Sequence, residues 1–289
     1  MNRRTAPHRR TALLLVALAL ASCEKKPEPT VDPGAATGDT DAPPPVKLDD
    51  SVPQEPDPAE IAQGQQKYLV GEYADVITLL QPLYADLKER KQYRASALAG
   101  TWLALAHAKS VFENSKEPAE WALSMAASTA DAEVAAAVAL AMGAYQIGNE
   151  DFDHAITSLA GAAASPDAGT AALGHVLKAE ALIGAAFGGG ESETVQHPEK
   201  FDEAKAEYDA AAASAKGHAA EDLLMGRIEE GYAALADYRK DKAGVCPHAL
   251  AALSAFSRGG AKRLLEGPAE LARDNKCVIP AELAAPEEG

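Results

Sequence analysis

Hydrophobic and polar positions change rhythm twice along the chain. Residues 12 to 21, ALLLVALALA, form an unbroken apolar run, and residues 24 to 58 carry almost no large apolar side chain. From Ala59 onward apolar residues return three and four positions apart, which is the 3.6-residue period of an amphipathic helix. The stripe is cleanest in Ala95, Leu98, Ala99, Trp102, Leu103 and Ala106. It predicts a helix over about Tyr93 to Phe112, followed by one over Pro118 to Thr129. Further helices are predicted near Ala219 to Tyr238 and Pro247 to Arg258, with glycine- and proline-containing breakers between them. Alanine, the best helix former, dominates the apolar positions and β-branched residues are sparse, so the pattern predicts an all-α fold.

The first apolar run follows MNRRTAPHRR, which holds four arginines and no acid. A basic segment followed by a short apolar one has the form of a secretory signal over residues 1 to 22. The run is about half the roughly 20 residues that span a bilayer, so the expectation is cleavage rather than retention. It ends in Leu20-Ala21-Ser22-Cys23. These four residues resemble the lipobox of bacterial lipoproteins. The resemblance implies that Cys23 becomes the first residue of the mature chain and bears the lipid, and that Glu24, not aspartate, directs the protein to the outer membrane facing the periplasm. An anchor of several acyl chains holds a soluble domain far more firmly than one chain does. Residues 23 to 58, with nine prolines from Pro27 to Pro58, are expected to be a disordered, semi-rigid tether, since they cannot bury enough surface to offset their ordering entropy.

Within residues 59 to 258 the helical pattern recurs. Gly64, Tyr68, Gly71, Tyr73, Val76, Leu80 and Pro82 are echoed by Gly143, Tyr145, Gly148, Phe152, Ala155, Leu159 and Pro166, with one extra residue near the second turn. Phe201, Ala204, Tyr208 and Ala211 repeat the second half alone. This arrangement resembles the tetratricopeptide repeat over residues 59 to 215. The resemblance implies a solenoid of helical hairpins, about five by periodicity, ending in a cap and tail over residues 259 to 289. It also implies a concave groove lined by the first helix of each pair. On that matching Gln65, Tyr68 and Leu69, joined by Trp102, are the candidate partner-binding residues. A second reading places Tyr68 and Trp102 in the core.

The chain carries 27 basic residues, four of them leader arginines, against 43 acidic ones, and has no compact basic run, so nucleic acid is an unsuitable partner. No HExxH, phosphate-loop or G-x-S-x-G pattern occurs. No catalytic residue, metal site or cofactor is therefore expected, and the adjacent acids Glu229 and Glu230 are read as a solvated helix face. With Cys23 lipidated, Cys246 and Cys277 are the remaining cysteines, and in an oxidising compartment a disulfide between them is expected, two separate thiols being the alternative. The leading functional expectation is a non-catalytic scaffold or adaptor of the cell envelope, held to the membrane by its lipid and binding an envelope protein or peptide. A solute-binding lipoprotein with a pocket among the helices comes next, and an envelope enzyme third. Convergent polar side chains with perturbed pKa values favour the later readings, and an open concave face the first.

Overall fold

The computed structural model describes residues 47–49, 51–188 and 194–283. The expected signal segment, Cys23, most of the expected tether, residues 189–193 and the last six residues lie outside them. The chain divides into a unit of residues 1–41 and a unit from Ala42 to Gly289, and everything below concerns the second.

The described residues form eleven α-helices and no strand. They pair in sequence: α1 (Ala59–Leu69) with α2 (Tyr73–Glu89), α3 (Tyr93–Ala108) with α4 (Lys116–Thr129), and α5 (Ala132–Gly148) with α6 (Phe152–Ala163). α7 (Ala168–Ala186) then pairs with α8 (Lys200–Ala215) and α9 (Glu221–Tyr238) with α10 (Lys242–Arg258), before a closing α11 (Glu266–Asp274). Each of these helices packs on the one before it. The odd-numbered members α1 to α9 also pack on one another in order, forming an inner row.

One local device sets most of the hairpins. At the end of α1, Gly71 adopts φ +82°, its N–H bonds to Tyr68 O at 3.1 Å and Glu72 N–H reaches back to Lys67 O at 2.9 Å. This is a Schellman cap, in which a left-handed residue turns the chain and satisfies the last carbonyls of the helix. The same turn recurs at Lys91, Glu150, Lys240, Gly260 and Lys276. Glu150 therefore holds in the second copy the place that Gly71 holds in the first. The register corrects the sequence alignment: no extra residue sits in the second turn, Ile147 rather than Tyr145 corresponds to Tyr68, and Gly148 is the last residue of α5.

Gly64 and Gly143 keep their equivalence. A Cβ on Gly64 would lie 2.6 Å from Leu80 Cδ1, and one on Gly143 would meet Leu159, so each glycine admits the leucine of its partner helix. Two prolines behave differently from expectation. Pro82 lies inside α2, which continues to Glu89, and Pro247 lies inside α10 rather than starting it. The true start of α10 is set by Asp241, whose side chain accepts from Gly244 N–H, a cap that outweighs the missing proline N–H.

The C-terminal segment is not a loose tail as far as Leu283. Cys246 on α10 and Cys277 after α11 are joined, with S–S 2.01 Å and Cα atoms 5.5 Å apart. The bridge lies beside a small cluster of Ala233, Ala249 and Ala272.

Candidate functional site

The stack turns back on itself within this unit. Arg227 on α9 donates through Nη2 to Tyr68 O at 3.0 Å, to Leu69 O at 3.5 Å and to Tyr73 Oη at 3.3 Å, spanning up to 159 residues of sequence. Those carbonyls end α1, where C=O groups beyond the helical ladder carry partial negative charge and keep a second lone pair, so a guanidinium is a natural additional partner. Its planar group also lies 5.1 Å from the centroid of the Tyr68 ring, a cation–π contact. Beside it, a Cβ on Gly71 would lie 2.7 Å from Leu264 Cδ2. Only a glycine leaves room there, and its left-handed φ favours the same residue.

Around this junction the inner row gathers charge of both signs. Lys109, just beyond α3, lies 3.4 Å from Glu180 of α7, and Glu230 follows Arg227 by one turn on α9. Lys109 is exposed and Glu180 partly so, their side chains keeping 35% and 37% of their exposure. The Glu180 carboxylate holds the Lys109 ammonium above the ordinary lysine range. Burial pushes the Glu230 carboxyl up to about 7, against the pull of Arg227 and Lys109 and with help from Glu180. Glu230 makes no hydrogen bond or ion pair among the described residues. Arg227 Nε is buried without an acceptor.

The raised Glu230 gives a signed pH prediction. Between the ordinary value of 4.5 and about 7 the folded chain keeps a proton that the unfolded chain has released, so stability falls as pH rises through this window. Glu230→Gln removes that slope and stabilises the protein at about pH 8, by on the order of 2 kcal/mol once the partial exposure of Glu230 is allowed for. Urea midpoints at about pH 5 and about pH 8 would show it. An unchanged pH slope in the variant would contradict the assignment.

The residues singled out from the sequence lie as follows. Tyr68, Leu69 and Trp102 are buried, at 2%, 4% and 4% exposure, and the Tyr68 and Trp102 rings meet at 5.6 Å. Gln65 is half-buried on α1. Tyr68 is thus at the junction, but as a wall beneath Arg227. Arg227, Lys109 and Glu180 were not singled out, and Glu230, read as part of a solvated face, is partly buried. A signal did exist: Leu223, Arg227, Glu230 and Ala234 follow one stripe of α9, so two charges interrupt an otherwise apolar face. Glu229, by contrast, pairs with His248 Nδ1 at 2.7 Å.

Two surface clefts lie elsewhere. One of 330 Å³ is bordered by Gln66, His218, Asp222 and Arg258. The other, of 390 Å³, is bordered by Gln81, His107, Glu113 and Glu117. His107 is 5% exposed, its Nδ1 is unpartnered and burial lowers its pKa, so the ring is neutral. Among the described residues no group of three or more His, Cys, Asp or Glu is placed to hold a metal, and no helix is long and apolar enough to cross a membrane.

No family model matches this chain, and the comparisons find neither a similar curated protein nor a similar solved structure. Functional inference therefore rests on the residues and their geometry.

Proposed function

We propose that this chain is a lipid-anchored, non-catalytic binding protein of the cell envelope: a tetratricopeptide-like solenoid carried on a proline-rich tether from Cys23, facing the periplasm from the outer membrane. The leader, the lipobox-like Leu20-Ala21-Ser22-Cys23 and the acidic tether support the address. The sequential helix pairs and their inner row support the solenoid.

For the occupant, the geometry favours a solute held among the helices. One observation carries this reading: Arg227 joins α9 to the end of α1, where Tyr68 and Leu69 are buried, so two of the residues that a peptide groove would present are covered by the chain itself. Native mass spectrometry of the mature protein in detergent is expected to show a small-molecule adduct lost on Arg227→Met. An adduct-free protein that captures a specific envelope polypeptide would instead favour the scaffold reading. That second reading draws support from the stack itself, since arrays of helical hairpins leave large surfaces for a protein partner.

The anchor has its own test. Cys23→Ala is expected to abolish acyl labelling and to leave an unprocessed or mislocalised precursor, because the lipid forms only on that thiol. Undiminished labelling of the variant would refute it.

A further inference from the structure

We propose that the turn between α2 and α3 is a docking site for an extended, acidic, proline-bearing peptide, and that residues 53–57 of this chain are its ligand in cis, strapped onto the site. The proposal stands apart from the solute-binding reading and does not depend on it.

The last residues of the expected tether do not stand off the helices. Two glutamine side chains, one from each side, read the other's backbone. Gln92, the residue before α3, is 4% exposed; its Nε2 donates to Pro53 O at 3.0 Å and its Oε1 accepts from Glu55 N–H at 2.7 Å. In return, Gln54 Oε1 accepts from Tyr93 N–H at 2.8 Å, and Gln54 Nε2 donates to Lys91 O at 3.0 Å. Charges follow the same register: Glu55 pairs with Arg90 at 2.5 Å, Asp57 pairs with Arg94, and Asp49 pairs with Lys91 at 2.8 Å. Asp49 N–H also donates to Tyr93 Oη at 3.1 Å, and Leu48 packs against the core.

A carboxamide is the neutral side chain that carries a donor and an acceptor side by side, so it can take a C=O and an N–H from an extended chain as a neighbouring strand would. Gln92 does this at residues 53 and 55, two apart, which is the spacing at which an extended chain presents the same side. Pro53, Pro56 and Pro58 hold the segment extended before it docks and so reduce the ordering entropy that docking costs. The ion pairs are exposed and weak individually, yet they favour an acidic segment over a basic one. The amide forks therefore supply the backbone recognition and the cations the charge preference. On the anchor reading, docking moves the root of the tether from Pro58 to Asp49, which shortens its reach by roughly 30 Å.

Fluorescence anisotropy on the full chain in detergent tests the proposal, with a labelled synthetic peptide of residues 47–58 as probe. The strap is disabled in cis by Gln54→Ala together with Glu55→Pro, exposed positions outside every helix whose change removes one amide fork and the N–H that Gln92 accepts. The peptide is expected to bind this variant saturably with a Kd of about 0.1 mM or below, because a short linkage gives an effective concentration in the mM range and a strap closed nine-tenths of the time needs a Kd about tenfold under it. The wild-type chain, its site filled, should bind the peptide at least about tenfold more weakly. A peptide carrying the same two changes, or the native peptide on the disabled chain with Gln92→Met added, should also bind at least about tenfold more weakly. Arg90→Gln on the disabled chain should weaken binding about threefold and keeps the test valid should Gln92→Met perturb folding. No saturable binding to the disabled chain, equal binding to the wild-type chain, equal binding of the altered peptide, or an affinity unchanged by both Gln92→Met and Arg90→Gln would each overturn the proposal. A wild-type dimer that the disabling pair dissolves would put the strap on a second copy and overturn the assignment in cis.

Discussion

Phe256→Ala is expected to lower the stability of the helical unit by about 3–5 kcal/mol, the cost of truncating a fully buried aromatic side chain whose surroundings cannot close the void. Phe256 on α10 is 0% exposed, and its ring occupies the space left by Gly226 on α9, where any Cβ would meet it. The complementarity is one of shape, so collapse would require α10 to move bodily towards α9. The disulfide from Cys246 to Cys277 resists such movement. Gly226 also precedes Arg227, so loosening this packing should weaken the hold of α9 on the end of α1. Urea unfolding would measure the loss, and hydrogen exchange at Tyr68 to Tyr73 should rise in the same variant. A destabilisation below about 1 kcal/mol would mean that the site repacks, contrary to the geometry.

Reduction of the Cys246–Cys277 bridge is the second large effect. The cysteines are 31 residues apart, and the loop-closure relation puts the contribution of a link of that length at roughly 3–4 kcal/mol. In a stack whose units contact mainly their neighbours, that loss should fall first on α10 and α11. The expected result is a lower melting temperature on reduction, with early exchange confined to residues after about Lys242 and α1 to α6 little affected at first. Two free thiols in protein recovered from an oxidising compartment, or an unchanged melting temperature on reduction, would contradict this.

Reduction and Phe256→Ala act on the same helix pair but should differ in reach. The bridge restrains mainly the unfolded ensemble of one segment, whereas Phe256 lies in the core shared with α9, which carries Arg227 and Glu230. Phe256→Ala should therefore loosen the contact of Arg227 with the end of α1 as well as lower stability, while reduction should leave that contact nearly unchanged until α10 begins to fray.

What the chain makes legible in one dimension is local. The 3.6-residue period from Ala59 onward marks the helical class, and the stripe through Trp102 predicts α3 and α4 to within a few residues of their observed ends. The near-coincidence follows because periodicity and helix propensity act over single turns. Two cysteines beyond Cys23 suffice to suggest their pairing. Hairpin turns are half legible: Gly71 shows its left-handed conformation, but Lys91, Glu150 and Lys240 adopt the same one without glycine, because the helices on either side hold the turn in place. Pro247 reads as a helix start by its local chemistry, yet α10 runs through it, as α2 runs through Pro82. Tertiary structure alone decided that Arg227 meets the end of α1 and that Glu230 is partly buried rather than on a solvated face. The stripe on α9 says which face of that helix is inward, but not which distant element covers it. That depends on the small rotations between successive pairs, summed over the stack, which no single turn of sequence encodes.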